Sequence, residues 1–157
     1  MPVISLRYHF DQPLAAGARR AFEWATDFQP SDGELFSHRT FRRVRRLTPD
    51  AFLLTDVTFP EGRRREIQRL VRIDREELAW TNTHLTGPFQ HSQFWYRILP
   101  VAPQKSLLSF RGLKLEKVPH PLGPEEISRR ARENMLSDAK EWRDFLAPAL
   151  REDLRKG

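Results

Sequence analysis

The 157-residue sequence contains no cysteine. This absence excludes disulfide bonds, thiolate metal ligands and a cysteine nucleophile, and it agrees with a reducing compartment. No apolar run approaches the roughly 20 residues that a membrane-spanning helix requires. Residues Met1 to Phe10 lack the basic head and apolar stretch of a signal peptide. We therefore expect a cytoplasmic protein.

Glycine is scarce, at 7 of 157 residues, and several glycine-dependent motifs are missing. The sequence has no Gly-x-Gly-x-x-Gly, Walker or Gly-x-Ser-x-Gly motif, and no His-Glu-x-x-His pair. Dinucleotide-binding, P-loop, α/β-hydrolase and zincin functions therefore receive no support. We expect no cofactor and no metal.

Arginine, in contrast, is abundant: it makes up 22 of the 27 basic residues, against 21 acidic ones, and the net charge is +6. One cluster comprises Arg42, Arg43, Arg45 and Arg46, and a second spans residues 63–65. Adjacent strand residues point to opposite faces, so a strand would divide the first cluster between its two sides. This pattern argues against nucleic acid as the partner, and arginines on an edge strand would discourage strand addition by another chain.

The first 35 residues predict one strand and two short helices. Residues 3–10 alternate between apolar and polar types, as a half-buried strand does. Pro13 suits the first turn of a helix, and apolar residues follow it at helical spacing as far as Ala25. Ser31 and Glu34 have the spacing of a capping box, which predicts the second helix.

The middle of the chain predicts an antiparallel meander. Turn signals at residues 48–50, 60–62, 74–77, 86–88 and 100–105 separate short segments that carry β-branched and aromatic residues. Short connections favour antiparallel pairing of neighbours, so we expect five or six strands.

A long helix is predicted to close the chain, beginning at Gly123-Pro124. Pro148 should kink this helix or end its regular part. No repeat or linker divides the sequence, which predicts one domain over residues 1–157. The apolar stripe of the helix consists of Ile127, Ala131, Met135, Asp138, Trp142, Phe145, Leu146 and Ala149.

This order of elements, together with the aromatic-rich segment at residues 21–28, resembles the START/Bet v 1-like (SRPBCC) superfamily. The resemblance implies an α+β helix-grip fold, in which a curved antiparallel β-sheet wraps around a long C-terminal α-helix and two short helices follow the first strand. Members include lipid and sterol carriers, polyketide cyclases and aromatases. The resemblance therefore implies a cavity more firmly than it implies a reaction.

Pairing the strands outward from each turn predicts which side chains face that cavity. The turn at Glu61-Gly62 sets Asp56 opposite Ile67, and later turns set Trp80 opposite Val71 and Trp95. The predicted ligand-binding set is Phe52, Leu54, Arg69, Val71, Trp80, Asn82, His84, Gln93, Trp95, Phe110, Met135, Asp138 and Trp142.

The polar residues on this face allow several interpretations. His84, His91 and Asp56 fall in one row, where they could move protons, hold a metal or form a solvated rim. Arg69, with Asn82 and Gln93, could orient a polar group of a mostly apolar ligand. A buried arginine needs a partner, however, so Arg69 could also simply pair with Asp56 or Asp138.

The sequence supports three functional hypotheses. The first is binding of an apolar or aromatic small molecule, lipid-like or polyketide-like, between the sheet and the C-terminal helix. The alternative, implied by the resemblance, is a polyketide cyclase or aromatase with His84, Asp56 and Arg69 as candidate catalytic residues. The third is a basic interaction module for RNA or an acidic partner. Whether the chain forms a homodimer stays open.

Overall fold

The computed structural model describes residues Met1–Gly157 and contains one seven-stranded antiparallel sheet. Its order is β1-β7-β6-β5-β4-β3-β2, which is a meander apart from the return of β7 to β1. The strands are β1 (Val3–Leu14), β2 (Phe41–Thr48), β3 (Ala51–Thr58), β4 (Arg65–Asp74), β5 (Ala79–His84), β6 (Gln93–Ala102) and β7 (Lys105–Lys117). The helices are α1 (Ala18–Ala25), α2 (Pro124–Glu141) and α3 (Ala147–Lys156). The predicted α+β helix-grip fold is confirmed.

The first strand is longer than predicted and the first helix is shorter. Strand β1 runs to Leu14 and includes Pro13, so the prediction that this proline opens the helix is wrong. Because β1 lies at the edge of the sheet and pairs only with β7, a residue without an N–H is tolerated there. Helix α1 begins at Ala18, with Gly17 at its N-cap.

The second short helix is a 3-10 turn at Pro30–Glu34. The capping pair predicted at Ser31 and Glu34 is wrong. Gln29 and Asp32 form it instead, and the Gln29 N–H donates to Asp32 Oδ2 at 2.9 Å. Pro30 occupies the first position of this turn, so Gln29 is its N-cap and the capping pair begins two residues earlier than predicted.

The predicted register is correct in one hairpin and shifted in the others. Strands β3 and β4 pair Asp56 with Ile67, as expected. Strands β4 and β5 pair Ile73, rather than Val71, with Trp80, because the turn lies one residue later than predicted. That shift moves the register by two residues and leaves every side chain on its predicted face.

The hairpin between β5 and β6 contains a β-bulge that reverses the predicted faces of β6, and a second one-residue shift between β6 and β7 restores the predicted faces of β7. The His84 N–H donates to Ser92 O at 2.9 Å, while His84 O accepts from the N–H of His91 at 2.8 Å. His91 and Ser92 therefore lie opposite the single residue His84, and His91 adopts the left-handed region at φ 73°. The one-residue slip turns Gln93 and Trp95, both predicted to face the cavity, to the outer side of the sheet, and it turns Phe94 and Tyr96 inward.

The C-terminal helix is interrupted by a π turn at Trp142–Leu146, between α2 and α3. Regular α-helical winding ends at Glu141, a short distance before Pro148, as predicted. The extra residue of the π turn rotates α3 relative to α2 around the helix axis. Phe145 of the predicted stripe is consequently 38% exposed, and Leu150 is buried instead. No helix is both long enough and apolar enough to span a membrane.

Candidate functional site: the cavity between sheet and helix

A cavity of about 440 Å³ lies between the inner face of the sheet and the C-terminal helix. This volume falls within the usual range of small-molecule pockets, roughly 300–1,000 Å³. Strands supply most of the wall, and the segment that follows the 3-10 turn closes one side with Leu35, Phe36 and His38. The apolar part of the lining includes Trp24, Phe28, Leu54, Ile67, Trp80, Phe89, Phe94, Tyr96, Phe110, Trp142 and Leu146.

Stacked aromatic rings form the floor of the cavity. Trp80 and Tyr96 are direct cross-strand neighbours and stack with centroids 4.9 Å apart. Tyr96 meets Phe110 edge-on at 5.1 Å, and Trp142 approaches Tyr96 from the helix at 6.4 Å. Aromatic pairs in these geometries pack favourably and hold their rings in fixed orientations. The floor is therefore a closely packed and largely apolar surface.

A buried ionic triad crosses strands β2, β3 and β4 at one end of the cavity. Asp56 is 3% exposed and accepts two hydrogen bonds from Arg42, at 2.8 and 2.9 Å. Its Oδ2 also accepts from Arg69 Nη1 at 2.6 Å. The alternative pairing of Arg69 with Asp138 is not formed. With two guanidinium groups on one carboxylate, the triad carries a net positive charge into the cavity.

Three polar atoms in the cavity wall are buried without a hydrogen-bond partner. They are Arg69 Nε, Asn82 Oδ1 and His84 Nδ1, which belong to the neighbouring strands β4 and β5. Arg69 and His84 are direct cross-strand partners, and Asn82 is two residues from His84 on the same face. Buried polar groups are almost always satisfied, so a cluster of three exceptions requires an explanation.

His84, a candidate proton carrier from the sequence, is buried in the cavity wall. Burial, reinforced by the positive charges of Arg69 and Lys114, lowers its pKa to about 3. The imidazole is therefore neutral throughout the physiological range. Asp56 binds the two arginines rather than His84, and His91 is exposed in the loop after β5. Asp56 and His84 of the predicted row therefore both line the cavity, whereas His91 does not.

A second cluster of polar side chains lies where β1 and β7 meet helix α2. The Tyr8 hydroxyl donates to Asp138 Oδ2 at 2.7 Å. Burial raises the pKa of Asp138, although Tyr8 and Lys114 oppose that shift. Burial also raises the pKa of the Tyr8 hydroxyl, and the Asp138 charge adds to the rise. Lys114 Nζ donates to Asn134 Oδ1 at 2.5 Å.

The structure brings most of the predicted site residues to the cavity. Phe52, Val71 and Met135 pack in the neighbouring core without lining it, and Gln93 and Trp95 lie on the far side of the sheet. Ligand contact by any of these residues stays a prediction. Those that line the cavity are Leu54, Asp56, Arg69, Trp80, Asn82, His84, Phe110, Asp138 and Trp142.

Sequence reasoning missed Tyr8, Arg42, Phe94 and Tyr96, which also line the cavity. The sequence does contain a pattern that predicts two of these residues. Phe94 and Tyr96 alternate with polar Gln93 and Arg97, and this period-two pattern places the apolar side inward. The other two depend on how the edge strands β1 and β2 pair with their neighbours, and no tight turn fixes the register of β1 against β7.

No protein-family model matches the chain, and no curated protein sequence matches it. Solved structures do. The Zhui aromatase/cyclase from Streptomyces sp. R1128 superposes with a TM-score of 0.73 and 12% identity over 96% of both chains. A START superfamily protein from Mycobacterium smegmatis superposes with a TM-score of 0.64 and 19% identity, over 88% of this chain and 96% of its own. Norcoclaurine synthase from Thalictrum flavum superposes with a TM-score of 0.64 and 11% identity, over 98% of both chains. The chain therefore has the helix-grip fold of the START/Bet v 1-like proteins.

Proposed function

We propose that this protein binds an aromatic, mostly apolar small molecule that carries at least one hydroxyl or carbonyl group. The observation that carries the proposal is the set of three unpartnered polar atoms in the wall of an aromatic-lined cavity. Arg69 Nε–H is a donor and Asn82 Oδ1 is an acceptor, so a phenol or enol hydroxyl complements both. The stacked floor of Trp80 and Tyr96 suits a planar ring system.

The matched ligands 2-naphthol and naphthalene test this proposal, because they differ only in the hydroxyl group. Ligand bound at 100 times its Kd stabilises a folded protein by about 2.7 kcal/mol, which a thermal-shift assay detects readily. We expect 2-naphthol to stabilise the protein more than naphthalene does. Equal shifts, or no shift with either compound, would contradict a site built around the unpartnered atoms.

The variant Asn82→Leu gives a sharper test, because its two expected effects have opposite signs. Removal of a buried, unsatisfied oxygen should raise the stability of the ligand-free protein by about 1 kcal/mol. The same change should weaken 2-naphthol binding by roughly three- to tenfold, which corresponds to one lost hydrogen bond. Gln93→Leu is the matched control on the outer face and should leave 2-naphthol binding unchanged.

A cyclase or aromatase activity is the second candidate, and the structural likeness to the Zhui aromatase/cyclase favours it. Of the three catalytic residues expected from the sequence, Arg69 lines the cavity and keeps one N–H without a hydrogen-bond partner. His84 is neutral and Asp56 is fully engaged by arginines. We expect Arg69→Met to abolish turnover of a poly-β-ketone chain if this activity exists, and His84→Gln to preserve most of it.

A further inference from the structure

A single lysine faces the cavity. The chain contains five lysines, and Lys114 alone lines the cavity, where β7 passes beneath helix α2. Its Nζ donates to Asn134 Oδ1 at 2.5 Å and lies 3.8 Å from the centre of the Phe89 ring. These contacts fix the amine at the cavity wall. Burial lowers the pKa of Lys114, while Asp138 and Glu116 oppose the shift, so the site favours the neutral, nucleophilic amine more than bulk water does.

A carboxyl group shares the cavity with this amine. Asp138 lines the cavity from helix α2, and it forms no direct ion pair with Lys114. Tyr8 occupies Oδ2 of the carboxyl group, so Oδ1 is available to another partner. Because burial raises the pKa of Asp138, its protonated form is more accessible than that of an exposed aspartate. An amine and a carboxyl group that line the same cavity are the two groups that condensation with a carbonyl compound requires.

We propose that Lys114 forms a covalent imine with an aldehyde or ketone bound in the cavity, with Asp138 as the proton donor. The lone pair of Nζ attacks the carbonyl carbon, and one proton moves from nitrogen to the carbonyl oxygen to give a carbinolamine. Asp138 then protonates the hydroxyl group, which leaves as water. The nitrogen lone pair forms the C=N bond, and the products are an iminium cation, one water molecule and the Asp138 carboxylate beside the new charge.

Reductive trapping tests the inference. The folded protein is incubated with 6-hydroxy-2-naphthaldehyde and sodium cyanoborohydride, and the labelled lysines are located by peptide mass spectrometry. An apolar cavity concentrates the aldehyde next to the amine, so we expect Lys114 to label on the order of tenfold faster than exposed Lys117. Lys114→Arg should remove that label, and Lys117→Arg, a matched change on the same strand, should keep it. Circular dichroism confirms that each variant is folded.

A competitor separates site-directed reaction from general lysine chemistry. The corresponding alcohol, 6-hydroxy-2-naphthalenemethanol, has the same rings without a carbonyl and should protect Lys114 while leaving Lys117 labelling unchanged. Labelling spread over all five lysines, or confined to exposed ones, would overturn the inference. Because the reaction uses the cavity of the proposed function, 2-naphthol binding is measured in parallel. Stabilisation by 2-naphthol without Lys114 labelling rejects the imine alone, whereas the absence of both rejects the two proposals together.

Discussion

Acidification should destabilise this protein through His84 in particular. The imidazole is 8% exposed and lies beside Arg69 and Lys114, and its pKa is lowered from 6.5 to about 3. In the unfolded chain the His84 imidazole therefore becomes protonated near pH 6.5, whereas in the folded chain it stays neutral until about pH 3. A proton taken up only by the unfolded state favours unfolding. Stability from this residue is thus intact above pH 6.5 and is lost progressively as the pH falls toward 3.

The size of the effect follows from the two pKa values. Each pKa unit corresponds to about 1.4 kcal/mol, so the full shift of His84 represents on the order of 4–5 kcal/mol. Between pH 7 and pH 5 the loss is about 2 kcal/mol, because the unfolded state is already largely protonated at pH 5 and the folded state is not. A loss of that size is a large fraction of the stability of an ordinary domain.

Urea unfolding at pH 7 and pH 5 measures this loss. Since other groups also titrate in the interval, the quantity to compare is the difference between the wild type and His84→Gln. We expect the variant to lose about 2 kcal/mol less than the wild type does. His9→Gln, a change at an exposed histidine of β1, is the control and should behave like the wild type. Equal losses in the wild type and His84→Gln would refute the assignment of a neutral, buried imidazole.

Two further substitutions test the packing around the cavity. Asp56→Asn removes the charge that Arg42 and Arg69 share, and we expect a cost of about 3 kcal/mol in urea unfolding, because it leaves two guanidinium groups with little solvent access. A cost under about 1 kcal/mol would show that solvent screens the triad. Gly33→Ala places a methyl group well inside van der Waals contact with the carbonyl oxygen of Thr40, so the backbone must shift. We expect a loss of about 2 kcal/mol by thermal or urea unfolding, and an unchanged midpoint would show that this segment relaxes freely.

The fold was predictable because its signals are local and repeated. Alternation in β1, the turn chemistry at Glu61-Gly62 and the apolar stripe of the C-terminal helix each specify one element. Together they leave few topologies. The β3–β4 register follows from a symmetric turn in which Glu61 and Gly62 both have positive φ. Element boundaries were less accessible: Pro13 fits a helix start and an edge strand equally well until the pairing of β1 is known.

The site was predictable on strands β3, β4 and β5, at Phe110 of β7 and on the C-terminal helix, but not on β6. The bulge at His91 carries no glycine, asparagine or aspartate to announce a left-handed residue, so hairpin geometry alone could not reveal the one-residue slip. The exchange of Trp95 for Tyr96 in the cavity floor is the direct result. The Tyr8–Asp138 bond joins residues 130 positions apart in the sequence, and no local pattern predicts such a contact.

The π turn bears on how this chain should be compared with relatives of different length. Leu150 follows Trp142 by eight residues, and both side chains are buried. Uniform α-helical winding would leave positions eight apart rotated by about 80° around the axis, and positions seven apart by only about 20°. The π turn accommodates one additional residue, so the side chains of Trp142 and Leu150 lie on the same side of the helix. A homologue without it needs one residue fewer here, so a single-residue alignment gap belongs inside this helix rather than in a neighbouring loop.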